Sequence, residues 1–531
     1  MRTQHSRLTA AAALGVVASL FLGVCGTVQA QPLGPQLGSS DFRPSPAQPV
    51  GWRGDWTGRF PGATPPTVWQ RVRDGKDYTT KGIAWAAMLP NRGVSSPIVV
   101  GDRVFVTAEF SDLICLDKRT GKILWIHSNM EFEALSPKDR QSMPAIAEKV
   151  EPLAAELARV NAAVVEELNA RLETAATAQY SLPKVLEQKR KIEKQLRDEQ
   201  FAINRKRFTE DWPQAVYGFC TETPASDGRN VCAFFATGVS VCYDLEGNRK
   251  WIARGSHGGE EKGHYVSPLL ADNRFVVWGD PEIRAYDVAT GALQWASPAE
   301  GSNATSIYRV RSGNEWVYGL QATCFYRASD GQPVWKPGHL TPTFATPIVE
   351  GDTIYFWTPG RKHQFDAYQV PASTEEGRVA VKLAFEPANW ADDELTGKFD
   401  KGAVNASPLL VDGLIYHLYP GGGLLVHDAV TGKIVYRKVL PLRPRVEYWG
   451  WGGASASPTL AGKYIYLIDN QGGTLVIEPG RVYKEVAVNR IEERLADYDQ
   501  IQPQNLASPF FDGRRLYFRT PGHLYCVGEQ P

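Results

Sequence analysis

The sequence predicts an all-β protein, an eight-bladed β-propeller of four-stranded antiparallel blades with an inserted α-helical hairpin. Three observations lead to this prediction. A strand–turn–strand pattern recurs eight times along the 531 residues, and many of the 49 Gly and 36 Pro separate short apolar runs. In contrast, the segment between the first two copies has helical periodicity. Short strands repeated every ~40 to 60 residues are typical of propellers.

The second half of each repeat is clearest in "ICLDKRTGKILW", which ends at Trp125, and related stretches end at Trp251, Trp295, Trp335 and Tyr436. The Asp side chain can accept turn amide hydrogens, the Gly supplies a positive φ, and the Trp can pack on the neighbouring blade. We therefore expect a structural role in blade docking. The residues concerned are Asp117, Gly121, Trp125, Asp244, Trp251, Asp287, Gly291, Trp295, Trp335, Asp428 and Gly432.

The first half of each repeat is a Ser/Thr-Pro start, an apolar run, a Gly-Asp-type turn and a second apolar run. Together the two halves predict four antiparallel strands. One such sheet cannot bury both of its faces, whereas eight sheets stacked radially can do so. The copies begin at Ser95, Thr221, Val266, Thr305, Ala345, Ala406, Ala456 and Ala507, and the copy at Thr305 lacks the Pro.

The ring of blades needs a strand from the start of the chain. The last repeat stops at "HLYCVGEQP" and has no terminal Trp strand of its own. The stretch "GIAWAAMLP" precedes the first repeat and has strand character. We therefore expect Trp85 and its neighbours to complete the last blade.

The N-terminal region predicts export. Basic residues, an apolar run from Leu8 and "VQA" before Gln31 are typical of a signal peptide over residues 1–30. A retained membrane anchor is the alternative, and the bulky Val24 disfavours lipoprotein processing at Cys25. We expect a disordered lead-in over 31–50 and an N-terminal cap segment over 51–81. No later segment is long and apolar enough to span a bilayer.

The remaining boundaries follow from the repeats. We expect the closing strand and blade 1 over 82–130, a helical hairpin over 131–212, and blades 2 to 8 over 213–531. Apolar residues from Leu153 to Leu172 recur every three to four positions, and the pattern resumes after "YSLP". The hairpin either packs on its own propeller or serves as a partner-binding arm.

The cysteines offer no redox motif, because the chain has neither Cys-x-x-Cys nor an adjacent Cys pair. Cys115, Cys242 and Cys526 occupy equivalent repeat positions in different blades, so we expect small buried side chains there. Cys220 and Cys232 share a repeat with Cys242, and a local disulfide among these three remains open. The formal net charge is zero, which gives a nucleic-acid partner no overall electrostatic support.

The Asp-x-x-Thr-Gly-x-x-x-Trp motif after "SPxxxGD" resembles the tryptophan-docked repeats of pyrroloquinoline-quinone (PQQ) propellers. The resemblance covers nearly the whole mature chain except the helical insertion and the lead-in. It implies the propeller fold. Proteins with this repeat include quinoprotein dehydrogenases, the propeller lipoprotein of the outer-membrane β-barrel assembly machinery, and bacterial PQQ-repeat proteins of uncharacterised role.

The resemblance does not carry over catalytic residues. The dehydrogenases use an Asp base beside a calcium ion held by Glu, Asn and Asp, an Arg on the quinone, a Trp beneath it and, in many members, an adjacent-Cys disulfide. We cannot match these positions here, so no catalytic or metal residue is assigned and no cofactor is predicted. PQQ with calcium remains the alternative.

Residues just before the Ser/Thr-Pro starts are expected to ring the mouth of the central channel, where propellers usually bind ligands. The stretch "EYWGWGGASASP" could stack on a planar ring or a sugar, and a structural role is the alternative. The candidate mouth residues are Tyr217, His264, Asn405, Trp449, Trp451 and Asn505.

The sequence therefore favours an exported, monomeric, non-catalytic module in the periplasm or cell envelope, or outside the cell. We expect it to bind or scaffold proteins through the channel face or the helical hairpin. A quinoprotein alcohol or sugar dehydrogenase with a divergent site and a carbohydrate-binding propeller are the alternatives.

Overall fold

The computed structural model describes residues 34–74, 77–172, 183–201, 203, 220–255, 266–279, 281–299, 305–320, 324–335, 345–357, 365–375, 377–387, 405–446, 452–493 and 505–529. The predicted signal peptide lies outside these ranges. The contacts divide the chain into Met1–Gly34 and Pro35–Pro531, and every element below belongs to the second unit.

Four strands precede the first repeat, and four helices follow blade 1. The early strands are β1 (Arg59–Phe60), β2 (Gln70–Asp74), β3 (Asp77–Lys81) and β4 (Ile83–Met88). Blade 1 comprises β5 (Ile98–Val100), β6 (Arg103–Ala108), β7 (Asp112–Asp117) and β8 (Ile123–Ser128). The helices are α1 (Glu131–Ala134), α2 (Pro137–Gln141), α3 (Pro144–Ala170) and α4 (Lys184–Gln200).

The other blades follow in chain order. Blade 2 comprises β9 (Ala225–Ser226), β10 (Asn230–Phe234), β11 (Val239–Asp244) and β12 (Arg249–Arg254). Blade 3 comprises β13 (Leu269–Ala271), β14 (Arg274–Gly279), β15 (Glu282–Asp287) and β16 (Leu293–Pro298). Blade 4 comprises β17 (Tyr308–Ser312), β18 (Glu315–Leu320), β19 (Cys324–Arg327) and β20 (Pro333–Val334). Blade 5 comprises β21 (Ile348–Glu350), β22 (Thr353–Trp357), β23 (Phe365–Gln369) and β24 (Ala380–Ala384).

The last three blades complete the ring. Blade 6 comprises β25 (Leu409–Val411), β26 (Leu414–Leu418), β27 (Gly423–Asp428) and β28 (Ile434–Val439). Blade 7 comprises β29 (Thr459–Ala461), β30 (Tyr464–Ile468), β31 (Gly473–Glu478) and β32 (Lys484–Ile491). Blade 8 comprises β33 (Phe510–Asp512), β34 (Arg515–Arg519), β35 (His523–Val527) and the early strand β4. The prediction of eight four-stranded antiparallel blades is confirmed.

The outer strand of most blades carries a β-bulge that aims its aromatic residue. In blade 1, Trp125 pairs with Cys115 and Ile123 pairs with Leu116, so one residue between them is extra. The register shifts at the equivalent place in blades 2, 3, 5, 6, 7 and 8. A bulge re-aims side chains, and in blades 1, 2, 3, 6 and 8 the residue at the bulge is a Trp or a Tyr. In blades 5 and 7 the equivalent residues are Leu383 and Ala487.

The N-terminal and C-terminal parts of the propeller sequence meet in blade 8. Strand β4 pairs antiparallel with β35, and Trp85 lies opposite Cys526. Trp85 therefore occupies the position that Trp125 holds in blade 1. With β4 in blade 8, each of the eight described blades has its outer strand.

The N-terminal segment is ordered from Gly34, which corrects the expectation of a disordered lead-in over 31–50. Leu37 and Val50 are buried, and the backbone of Val50 exchanges two hydrogen bonds with Ser226 of blade 2. Further on, β1 pairs parallel with β29 and β2 pairs parallel with β32, so blade 7 becomes part of a seven-stranded sheet. Composition alone could not reveal this, because the order comes from contacts with distant blades.

The helical insertion packs on its own propeller. Helix α3 lies along β8, and its buried face includes Leu157, Val160, Val164 and Leu168. The Asn169 side chain accepts a hydrogen bond from the Ile123 N–H (2.7 Å) and donates one to the Ile123 carbonyl (2.9 Å). The amide thus continues the hydrogen bonding of blade 1's exposed edge, which is one way proteins protect a sheet edge.

One disulfide joins Cys232 to Cys242 on adjacent strands of blade 2. This is one of the pairings that the sequence left open among Cys220, Cys232 and Cys242, and the cross-strand register brings the two Cα atoms to 4.1 Å. Cys115 and Cys526 are free and buried, as expected.

Candidate functional site

The Asp residues of the repeat bind their own turns. In blade 1 the Oδ1 atom of Asp117 accepts hydrogen bonds from the Arg119 N–H (3.1 Å), the Thr120 N–H and the Thr120 hydroxyl (both 2.7 Å). Burial opposes ionisation of Asp117, but these bonds outweigh it and lower its pKa. Asp287 makes the same three contacts in blade 3.

The Asp of blade 6 has an additional partner. The Arg481 guanidinium is 2.7 Å from the Asp428 carboxylate, and Thr431 donates its N–H. The hydrogen bond from Arg481, followed by those from Thr431, lowers the pKa of Asp428 to about 2. The carboxylates of Asp117, Asp287 and Asp428 are therefore engaged in turn structure.

The Trp residues lie on the turn glycines of the next blade. A Cβ added at Gly121 would be 2.6 Å from the Trp85 ring, and one at Gly291 would be 2.5 Å from the Trp251 ring. Both glycines have positive φ, 75° and 73°. Trp295 covers Gly331 in the same way, and Trp335 donates its Nε1–H to the Ser373 carbonyl of blade 5 (2.9 Å).

Sequence reasoning missed the substitutes for Trp at later seams. Phe385 at the end of blade 5 contacts Gly432, whose Cβ would lie 3.2 Å from its ring. The equivalent position in blade 7 is Ala487, which pairs with Val476. At that seam Phe60 of the N-terminal segment packs edge-to-face on Phe510 and Phe511, with ring centroids 5.0 and 5.2 Å apart.

A belt of hydrogen bonds encircles the channel at the Ser/Thr-Pro starts. In six of the eight seams, the backbone N–H of the residue before the Pro position donates to the Ser or Thr hydroxyl of a neighbouring blade, and in the repeat of Ser306 that position is Ile307. The pairs are Ser96 to Thr223 (3.1 Å), Thr223 to Ser267 (3.1 Å), Ser306 to Thr346 (2.9 Å), Thr346 to Ser407 (2.8 Å), Ser407 to Ser457 (2.9 Å) and Ser508 to Ser96 (3.0 Å).

The two remaining seams are closed differently. Ile307 replaces the Pro in the degenerate repeat, and its N–H donates to the Ser267 carbonyl (3.4 Å). At the other seam the Ser508 hydroxyl donates to the Ser457 carbonyl (3.4 Å). Each of these Ser and Thr residues is buried. The Ser/Thr before Pro was the visible signal of the belt, but one copy alone is indistinguishable from a turn start.

The N-terminal segment plugs the channel beneath this belt. The buried Arg53 side chain donates to the carbonyls of Pro408 (3.3 Å) and Pro458 (2.7 Å), in blades 6 and 7. The Trp56 Nε1–H donates to the Pro268 carbonyl of blade 3 (3.3 Å). Burial lowers the pKa of Arg53 to about 9, so the guanidinium stays charged at neutral pH. The segment Val50–Phe60 therefore crosses the axis and contacts several blades.

The segment enters from the end of the propeller opposite the mouth. It contacts the turns between the first two strands of several blades. Gly513 donates its N–H to the Gly38 carbonyl (2.6 Å), and Gly462 donates to the Phe60 carbonyl (3.0 Å). The loops that join one blade to the next leave from the other end, which is the mouth.

Two of the six candidate mouth residues are described. Asn405 is half-buried, and its Oδ1 accepts no hydrogen bond from the residues that the structure describes. Asn505 is buried, and its N–H donates to the Asn470 carbonyl (3.2 Å). Outside the described residues lie Tyr217, His264, Trp449 and Trp451.

The described part of the mouth does not fit PQQ with calcium. Calcium prefers six to eight oxygen ligands with several ionised carboxylates. Glu222 lies at the belt, but burial raises its pKa well above its ordinary value and its Oε2 accepts the Thr221 N–H (3.1 Å). No group of three or more His, Cys, Asp and Glu in the described ranges is arranged to hold a metal ion.

Fold and site together define an eight-bladed propeller whose blades are locked by aromatic docking and a hydroxyl belt. The chain matches the model of the family described as outer membrane protein assembly factor BamB over residues 50–167 and 279–530. This is more than half of the chain, and the chain belongs to that family of PQQ-like propeller proteins. No match was found among curated protein sequences.

Several solved structures are similar to this chain at low identity. BamB from Moraxella catarrhalis is 13% identical, with a TM-score of 0.34 over 56% of this chain and 90% of that one. Quinohemoprotein alcohol dehydrogenase from Comamonas testosteroni is 13% identical, with a TM-score of 0.49 over 85% of this chain and 77% of that one. A europium-containing methanol dehydrogenase is 12% identical, with a TM-score of 0.49 over 84% of this chain and 92% of that one. We draw no activity from these likenesses.

Proposed function

We propose that this protein is an exported, non-catalytic propeller that binds other proteins at its mouth, in the cell envelope. The family description, outer membrane protein assembly factor, supports a role in assembling envelope proteins. None of the helices described above is long and apolar enough to cross a membrane. The proposal therefore places the propeller at a membrane surface or in the periplasm.

The observation that carries this proposal is the occupied axis. Arg53 and Trp56 bind the carbonyls of prolines that begin three innermost strands, so the chain itself fills the space beneath the mouth. A flat cofactor on the axis would compete with this plug. Because the other end is covered by the N-terminal segment, the mouth is the end that remains for a partner.

Photo-crosslinking from two positions at opposite ends of the propeller tests the proposal. Arg443 lies near the mouth, where its N–H donates to Asp469 (2.9 Å), and Lys463 lies in the turn at the opposite end. Both residues are exposed. A photoreactive amino acid would replace each residue in turn in the full chain, expressed in cells with an outer membrane, and adducts would be identified by mass spectrometry.

We expect specific protein adducts from position 443 and few from position 463. Equal adducts from both positions would contradict binding at the mouth. Dye reduction by the purified protein with PQQ, calcium and an alcohol or sugar would contradict the non-catalytic assignment.

A further inference from the structure

A fully buried lysine joins the helical insertion to blade 1. Lys189 of α4 is 0% exposed, and its Nζ lies 2.9 Å from Oδ2 of Asp112 in β7 and 2.6 Å from Oε1 of Glu193. Asp112 is likewise 0% exposed, and Glu193 is 5% exposed. Buried Lys is rare, and two carboxylates on one buried ammonium form an unusual group.

The Asp112 carboxylate is held in a fixed orientation. Its Oδ1 accepts a hydrogen bond from the Ser128 hydroxyl (2.5 Å), which in turn accepts one from the Asn161 side-chain amide (3.0 Å). Its Oδ2 lies 2.9 Å from the Lys189 Nζ.

A small cavity adjoins the group. It measures about 30 Å³, and its lining includes Asp112, Ser128, Glu193 and Leu157. A cavity needs only ~10–15 Å³ of such volume to hold one water molecule. Water released at the Asp112 carboxylate would therefore have a place to go.

Burial and charge shift the pKa values of Glu193 and Lys189. Burial raises the pKa of Glu193 to about 7, although Lys189 opposes the shift. Burial alone would lower the pKa of Lys189, but the carboxylates of Asp112 and Glu193 outweigh it and raise that pKa. Charged groups nearby include Glu109, which pairs with Arg92 at 2.8 Å, and Arg197, which lies over the Phe110 ring. They also include the buried Glu131, which lines the same cavity and pairs with Arg254 at 2.8 Å.

We propose that Lys189 and Asp112 react to form an intramolecular amide bond, with Glu193 as the proton-transfer residue. The bond would covalently fasten α4 to β7. It would be a self-modification that requires no cofactor, oxidant or other protein.

The reaction balances as the loss of one water. A proton passes from the Lys189 ammonium to the Asp112 carboxylate, and the neutral Nζ attacks Cγ. Charge builds on Oδ1, where the Ser128 hydroxyl donates. Glu193 takes a second proton from Nζ and delivers it to Oδ2, the Cγ–Oδ2 bond breaks, and water leaves. One ammonium and one carboxylate become one amide and one water molecule.

Burial and proximity both favour the bond. A well-oriented intramolecular pair has an effective concentration of ~10⁵–10⁸ M. Two charges kept out of water carry a desolvation penalty, and the neutral amide removes it. The exposed pair Lys194 and Asp198 of the same helix, 3.4 Å apart, has neither advantage because solvent reaches both groups.

Mass spectrometry of the purified mature protein tests the proposal. The intact mass should be lower than calculated by one water. Trypsin should release a branched peptide joining residues 104–118 to residues 185–190, because an acylated Lys189 is not cleaved. An unmodified intact mass would overturn the proposal, and so would a water loss that maps to an Asp-Gly pair such as Asp227-Gly228.

Two variants test the roles of the residues. Glu193→Gln should have the full calculated mass and yield no branched peptide, since it cannot carry the proton. Lys194→Arg, the matched control on the exposed face, should show the same mass loss as the parent protein. An unchanged yield of branched peptide in Glu193→Gln would overturn the role of Glu193.

Discussion

The hydrogen bond of the docked Trp can be tested by comparing two seams, one that has this bond and one that lacks it. Trp251 donates its Nε1–H to the Val288 carbonyl (2.9 Å). The Trp125 Nε1 atom is buried and has no hydrogen-bond partner among the described residues. The cause is in the sequence, where the turn facing Trp125 runs from Asp244 to Gly247 and is one residue shorter than the others.

We expect Trp251→Phe to lower the free energy of unfolding by about 1 kcal/mol more than Trp125→Phe does. This difference is the typical net value of one buried hydrogen bond, ~0.5–1.5 kcal/mol. Both changes remove similar apolar volume, so the packing loss largely cancels. Trp251→Ala should lower the same free energy by ~3–5 kcal/mol, because it also empties the space over Gly291.

Urea unfolding followed by circular dichroism gives these values, with Leu293→Ala as a surface control because Leu293 is 50% exposed. That control should change stability by less than ~0.5 kcal/mol. Equal losses for the two Phe variants would refute the hydrogen-bond reasoning. A loss below ~1 kcal/mol for Trp251→Ala would refute docking between the blades.

Three further predictions concern the plug, the insertion and the belt. Arg53→Met should lower the free energy of unfolding, measured in urea, by ~2–3 kcal/mol because two carbonyls lose a charged donor. The control Arg59→Met breaks an exposed pair with Glu350 and should change the same free energy by ~0–1 kcal/mol. Asn169→Ala should speed hydrogen exchange at the Ile123 amide by about tenfold, the equivalent of one hydrogen bond; unchanged protection would contradict edge capping. Burial raises the pKa of Glu222 well above its ordinary value in the folded protein, so the free energy of unfolding should fall as pH rises above the ordinary value of ~4.3. In thermal melts at several pH values, the stability of Glu222→Gln should not decline in this way. Identical pH profiles for the variant and the parent protein would contradict the prediction.

The repeat made the fold predictable. Asp, Gly and Trp recur at fixed distances in several of the eight copies, and where they occur they have the same structural role, so the imperfect copies reinforce one interpretation. The closing strand could also be anticipated, because a last repeat without its Trp implies one supplied from elsewhere. Such patterns can be recognised in the sequence because the residues that contact each other lie in one repeat or in neighbouring repeats.

The plug and the lysine group could not be predicted. "WRGDWTGRF" has no periodicity, and Arg53 meets Pro408 and Pro458 only once the ring has closed. Asp112 and Lys189 lie far apart in the sequence and look like ordinary surface charges there. Phe385 was missed for a different reason, since it replaces Trp in a repeat without the Thr-Gly motif.

A thermal melt of the mature protein with and without PQQ and calcium tests the central claim most directly. Ligand at about a hundredfold above its dissociation constant adds ~2.7 kcal/mol to a protein that binds it, which raises the midpoint visibly. A non-catalytic propeller with a plugged axis predicts no shift at concentrations that stabilise a known quinoprotein. A clear rise in the midpoint would contradict the account and point to a quinoprotein oxidoreductase.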